Sequence, residues 1–134
     1  MRKPSVSQLK AKLDKLFSLF IRLRDRNSSG DTVCYTCGHT ANWKKMQCGH
    51  FVPRQYLATR YNEMNCHAQC FACNMYYNGQ PSAFAAKLEE DYGKGTVALL
   101  EGTRRTITKD FPYEQKIKYY KDQLAKYTFL IGKI

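Results

Sequence analysis

Cys34-x-x-Cys37 and Cys70-x-x-Cys73 constrain the fold of this 134-residue chain more than any other feature. Each two-residue spacer lets both sulfurs face one ion, and two such pairs complete the tetrahedral thiolate set of a zinc site. Gly38, directly after Cys37, suits the tight turn of a zinc knuckle. One pair alone would fit a redox dithiol equally well; two favour the metal. Four thiolates leave no open position for water, so the expected zinc, one per chain, is structural. Cys48 and Cys66 are left over and read as small buried residues.

Helical patterns flank this element. Ser5 and Gln8 form a capping-box pair behind Pro4. Val6, Leu9, Leu13, Leu16, Phe20 and Leu23 then recur three and four residues apart, with Phe17 and Ile21 widening the stripe. Asn27-Ser28-Ser29-Gly30 ends the pattern, so residues 1–29 read as a basic amphipathic helix. Within 30–79, the aromatic and apolar content of Trp43 to Val52 predicts a short strand or hairpin arm stopped by Pro53. A polar loop follows over 54–64, then a second short strand from Asn65 to Gln69 and a short helix from Phe71 to Tyr77. The remainder, 80–134, reads as helical. Pro81 opens a helix bearing Phe84, Leu88 and Tyr92 and closed by Gly93. Residues 94–110 read as a turn and a short strand. From Pro112 a last helix carries Tyr113, Ile117, Tyr120, Leu124, Tyr127 and Ile131 on one face. The expected fold is a single mainly helical α+β domain, a zinc-stapled core between amphipathic helices.

The 22 Lys and Arg against 11 Asp and Glu leave a net charge of +11, and two segments hold most of it. Residues 1–26 carry a net +6 and residues 104–126 a net +4. Lys10, Lys12, Lys15, Arg22 and Arg26 lie opposite the apolar stripe of the first helix, and Lys116, Lys118 and Lys121 opposite that of the last. A polyanion, above all nucleic acid, is the expected partner, because each phosphate neutralised releases condensed counterions. A solvated lysine-rich surface is the plainer alternative. An anionic membrane fits less well, since both helices need their apolar faces for packing. Leu16 to Leu23, the longest apolar stretch, is interrupted by Ser18 and Arg22 and is too short to span a bilayer. With no secretory pattern at its start, the chain is expected to be cytoplasmic, where thiols bind metals more readily than they pair.

Between the cysteine pairs lie Gly49-His50-Phe51, Arg54, Asn65 and His67, with Asn74 directly after Cys73. His50 precedes Asn65 by 15 residues, and Asn65 precedes Asn74 by nine. This order resembles the HNH, or ββα-metal (His-Me finger), nucleases, and the enclosing cysteine pairs resemble those of the phage Holliday-junction resolvase endonuclease VII. The match to the phage NinG (Rap) recombination family is closer. It rests on Phe20-Ile21-Arg22-Leu23-Arg24, Cys34-Tyr35-Thr36-Cys37-Gly38, Gln47-Cys48-Gly49-His50-Phe51 and the run from Asn65 to Asn74. The resemblance implies a structure-selective DNA endonuclease acting on branched recombination intermediates. Composition and spacing alone reach only a zinc-stabilised, basic, metal-dependent nuclease.

Phosphodiester hydrolysis needs a base for the attacking water, and a neutral imidazole serves near pH 7; His50 is the candidate. Mg²⁺ or Mn²⁺ would stabilise charge at the phosphorane and the departing 3′ oxygen, with Asn74 as a ligand. Asn65 is expected to brace the loop and orient His50. Arg54, with Arg60 as second choice, is expected to clamp the scissile phosphate. Many HNH enzymes place an acidic or histidine ligand just before the base, where this chain has Gly49. His67, from the second strand, is the expected substitute, ahead of Gln47, and a histidine ligand would favour manganese or other transition metals. His39 reads as a structural residue of the knuckle. Two incisions at a junction suggest a symmetric homodimer through the first and last helices, unless their apolar faces cover the zinc core instead. Further recombination proteins are conceivable partners. The rival reading is a non-catalytic zinc-structured DNA-binding protein, with Gly49 the mark of a decayed metal site.

Overall fold

Helix α1 (Val6–Arg24) starts where the capping pair places it: Ser5 Oγ accepts from Gln8 N (3.1 Å) and Gln8 Oε1 from Ser5 N (2.8 Å). The computed structural model describes residues 2–132. Leu13, Leu16, Phe17, Phe20, Ile21 and Leu23 of α1 are buried, whereas Val6 stays exposed. The helix stops at Arg24, ahead of Asn27, whose Oδ1 accepts from Ser29 N and Asp31 N (both 2.9 Å) to turn the chain.

The other long helix, α5 (Tyr113–Leu124), lies along α1 and buries Tyr113, Ile117, Tyr120 and Leu124. Phe17 meets Tyr120 and Tyr61 edge-on, with centroids 5.2 and 5.5 Å apart. The apolar period runs on to Tyr127 and Ile131, but the helix tightens over Ala125–Tyr127 before a last turn at Thr128–Ile131. The two basic helices therefore bury their apolar faces on each other within one chain.

Beneath α1 lies an antiparallel pair, β3 (Gln47–His50) and β4 (Cys66–Gln69), in the register Cys48↔Ala68, Gly49↔His67 and His50↔Cys66. The first of these strands is shorter than expected, because Asn42 Oδ1 caps a single helical turn at Trp43–Lys45 (Lys44 N, 3.0 Å). A hairpin of β1 (Asp31–Val33) and β2 (Thr40–Asn42) precedes it, with Cys34 and Cys37 at its tip. Part of the expected polar loop is the one-turn helix α2 (Leu57–Arg60).

The strand expected within 94–110 is instead helix α4 (Thr96–Thr103). Gly93 and Gly95 (φ +106° and +100°) turn the chain after α3 (Pro81–Tyr92). Thr96 N then donates to Glu89 Oε2 (2.9 Å), and Val97 and Leu100, three apart, dock on Phe84, Leu88 and Val52. Burial of that pair overrides the strand preference of Thr96 and Val97. The fold is mostly helical, with a cysteine-rich metal-binding cluster beside a small sheet, consistent with a zinc core of the HNH or His-Me type. No helix among the described residues is long and apolar enough to cross a membrane.

Candidate metal centre and active site

The sulfurs of Cys34, Cys37, Cys70 and Cys73 lie within 4.8 Å of one another, with Cys37 and Cys70 at 3.7 Å. Corners of a zinc–thiolate tetrahedron stand about 3.8 Å apart, so the set fits a structural zinc. Amides already point at the sulfurs: His39 N at Cys37 and Cys73 N at Cys70, both 3.5 Å. Burial alone would raise the Cys34 thiol, but hydrogen bonds from the Cys70 amide and from Thr36 and Cys37 bring it down to about 6. Burial and then the crowding sulfurs push Cys37 up to about 12. Four thiols at this spacing cannot all ionise without a cation among them.

Around Cys73 the chain makes one wide turn, Ala72–Tyr76, after which Tyr77 N reaches back to Ala72 O (3.1 Å). Asn74 Nδ2 donates to Gln47 Oε1 (2.6 Å), which leaves Asn74 Oδ1 as the atom able to meet a cation. His50 ends β3, and its Nε2 lies 3.0 Å from Arg60 O. A carbonyl only accepts, so Nε2 carries the hydrogen and Nδ1 the lone pair. Burial, followed by the cationic Arg54 and Arg60 side chains, pushes the imidazole down to about 4 despite that bond, so it is neutral at pH 7.

His50, Arg54 and Asn74 line one cleft of about 500 Å³ with Arg22, Lys44, Gln47, Cys48 and Asp14. Asn65 stays outside it, fully buried: its Oδ1 accepts from Val52 N (2.7 Å), and its Nδ2 donates to Val52 O and Thr59 O (both 3.1 Å). It ties the chain just beyond His50 to α2.

A model of the family described as the bacteriophage lambda NinG protein matches residues 2–128. The chain belongs to the NinG family. It is 33% identical to the protein ninG of Escherichia phage lambda over 110 residues, 74% of this chain and 50% of that protein. To the protein ninG of Salmonella phage P22 it is 32% identical over 118 residues, 80% and 55% of the two chains. The chain thus spans about half the length of these curated relatives. No solved structure matches it.

In this NinG-family chain His67 is not brought to the cleft. It does stand opposite Gly49, but neighbours on a strand face opposite ways, so that face is turned away from His50. His67 stacks on Tyr35 (3.7 Å between centroids), accepts from Arg24 Nη2 (3.0 Å) and points Nε2 at Met64 O (3.1 Å). Burial and then Arg24 push it down to about 4, a neutral core histidine.

The space over Gly49 is filled by Gln69. A Cβ at position 49 would stand 2.6 Å from Gln69 Cδ, and Gln69 Nε2 is fixed by Thr36 Oγ1 (3.0 Å) and Gly79 O (2.9 Å). Gly49→Ala is therefore expected to lower stability by about 1–3 kcal/mol in urea unfolding. An unchanged midpoint would mean that Gln69 yields freely.

Asp14 of α1, unforeseen in the sequence, organises the arginines. It takes Arg60 through Nε (3.0 Å) and Nη2 (2.6 Å), the Tyr61 hydroxyl (2.6 Å) and, more loosely, Arg54 (3.3 Å). Burial opposes ionisation of Asp14, but the Arg60 and Tyr61 hydrogen bonds outweigh it and hold the carboxyl below its ordinary value. Arg60 is thereby committed within the protein, whereas Arg54 is mostly exposed and free to turn towards a phosphate. The signal for Asp14 was its solitude, as the one acid in a helix with five basic residues.

Of the expected nucleic-acid contacts, Arg22 lines the cleft, held by Ser18 O (3.2 Å) and Trp43 O (3.4 Å). Lys12, Lys118 and Lys121 share a separate groove between the start of α1 and α5, where Lys121 holds the Lys12 ammonium below its usual value. Lys15 is exposed and Lys10 partly so. Arg26 covers the Tyr127 ring at 4.6 Å, and Lys116 Nζ lies 5.8 Å from the Phe111 ring.

Proposed function

We propose that this chain is a metal-dependent endonuclease that nicks branched recombination intermediates such as Holliday junctions. The observation that carries the reading is His50: a neutral imidazole at a basic cleft, its Nε2 fixed by a backbone carbonyl and its Nδ1 left to accept a proton. Family membership supports a NinG-type recombination nuclease.

In this reading His50 Nδ1 takes the proton of the attacking water while the Arg60 carbonyl stabilises the imidazolium that forms. Arg54 and Arg22 hold the scissile phosphate, and Asn65 and Asp14 keep the loop from Val52 to Tyr61 in place around them. Asn74 Oδ1 would be the chain's oxygen ligand for Mg²⁺ or Mn²⁺, and the ion would supply positive charge to the phosphorane and the leaving oxygen. Among the described residues no carboxylate cluster adds to Asn74 in the cleft. A bound ion would then take water and substrate phosphate as its other ligands, as Mg²⁺ commonly does. The lysines of α1 and α5 bind the flanking DNA arms. Two incisions per junction call for a homodimer, whose interface must lie away from the faces that α1 and α5 bury on each other. The setting is the bacterial cytoplasm, beside other recombination proteins.

The pH dependence of kcat/KM tests the role of His50. With its pKa near 4 the free enzyme keeps the base unprotonated through the ordinary imidazole range, whose centre is 6.5. Cleavage is therefore expected to hold level as pH falls through 6.5 and to decline only towards 4. An acidic limb centred on 6.5 would contradict a buried, neutral base.

A further inference from the structure

We propose that Cys48, His50 and Cys66 form a second metal site, for zinc or another ion that prefers sulfur and nitrogen, and that its occupation switches the cleft off. Strand alternation puts Cys48 and His50 on one face of β3, and Cys66 stands opposite His50 on β4. The two sulfurs and a ring nitrogen lie within 4.8 Å of one another. Zinc distances of about 2.3 Å to sulfur and about 2.0 Å to nitrogen ask for donors roughly 3.5–3.8 Å apart, a small side-chain movement away.

Cys66 has little to give up: its sulfur's contacts to Arg60 O at 3.6 Å and Asn65 Nδ2 at 3.9 Å are long. Both thiols release their protons to solvent on binding. Two thiolates, a neutral imidazole and a dication then sum to zero charge, which suits a place covered by α1. Cys48 and His50 line the cleft, so the fourth position of the ion opens into it. The donor set is thus that of an open zinc site, unlike the closed four-thiolate set nearby.

Mg²⁺ and Mn²⁺ favour oxygen and would leave this set alone, so the two ion classes use different atoms of one cleft. A soft ion that takes Nδ1 removes the lone pair of the base. One that takes Nε2 breaks the hold of the Arg60 carbonyl. The switch rests on His50 as the base; the site does not.

The test uses the full chain with its structural zinc in place. Native mass spectrometry and absorption follow the addition of Co²⁺. One further ion should bind and bring thiolate-to-cobalt charge-transfer absorption, and Cys48→Ser should lose both. Should Cys66→Ser unfold, Cys48→Ser, at the half-buried position, still decides. Zinc in slight excess should lower Mg²⁺-dependent junction cleavage by about 10²-fold in the parent chain and leave Cys48→Ser uninhibited. No further ion, an ion without thiolate absorption, or an ion retained by Cys48→Ser would overturn the site. Cleavage indifferent to zinc with the second ion bound would overturn the switch. If the parent chain cleaves nothing, the nuclease reading fails, and the ion count still settles the site.

Discussion

Replacing His50 by Ala is expected to slow metal-dependent junction cleavage by about 10²–10⁴-fold, the usual contribution of a positioned general base. Junction affinity should change little, because the imidazole is neutral at pH 7 and adds no charge to the phosphate contacts. Stability should fall modestly, since the side chain is half-buried and His50 hydrogen-bonds to Arg60 O. Single-turnover cleavage beside a binding titration separates these effects. Cleavage at the parent rate, with the variant folded, would remove His50 from the chemistry.

Replacing Cys70 by Ser should have the largest effect on the protein as a whole. Among the described residues, the apolar cluster around the zinc cysteines contains, besides the cysteines, only Met46 and Ala68, with Ala41 at its edge. An ion therefore does the work of a core there. Structural zinc commonly contributes about 10–16 kcal/mol to the folding of small domains, as much as a whole domain's net stability of roughly 5–15 kcal/mol. The knuckle hairpin, β4 and the Asn74 turn all hang on these four sulfurs, so loss of one should unfold the segment and remove DNA binding and cleavage together. Circular dichroism and zinc release would follow it. A metal-free Cys70→Ser chain that melts cooperatively at the parent temperature would show that packing alone suffices.

The zinc set was legible because its information is local: two sulfurs two residues apart can face one ion in almost any fold. Helix α1 was legible for a similar reason, its cap and stripe both lying within one element. Asn65 reads as a brace from its place in the sequence, and its amide hydrogen-bonds to both Val52 and Thr59. What the sequence hid depends on which face a residue shows and on what arrives from elsewhere. His67 does pair with Gly49, but a residue beside the base on a strand points away from it, and Gln69 takes the space. The same parity gathers Cys48, His50 and Cys66, which read separately as a base and two spare thiols. Asp14 reaches Arg60 from 46 residues away, and no local pattern announces that bond. Helix α4 was missed because Thr96 and Val97 favour a strand until Val97 and Leu100 find α3.

Incubation of the zinc-loaded protein with end-labelled four-way junctions and matched linear duplexes, in Mg²⁺, in Mn²⁺ and in EDTA, tests the central claim most directly. The account predicts incision near the branch point in either metal, weak cutting of the linear duplex, and none in EDTA. Tight junction binding without cleavage in either metal would contradict it, and would make the protein a binding module built on a nuclease fold.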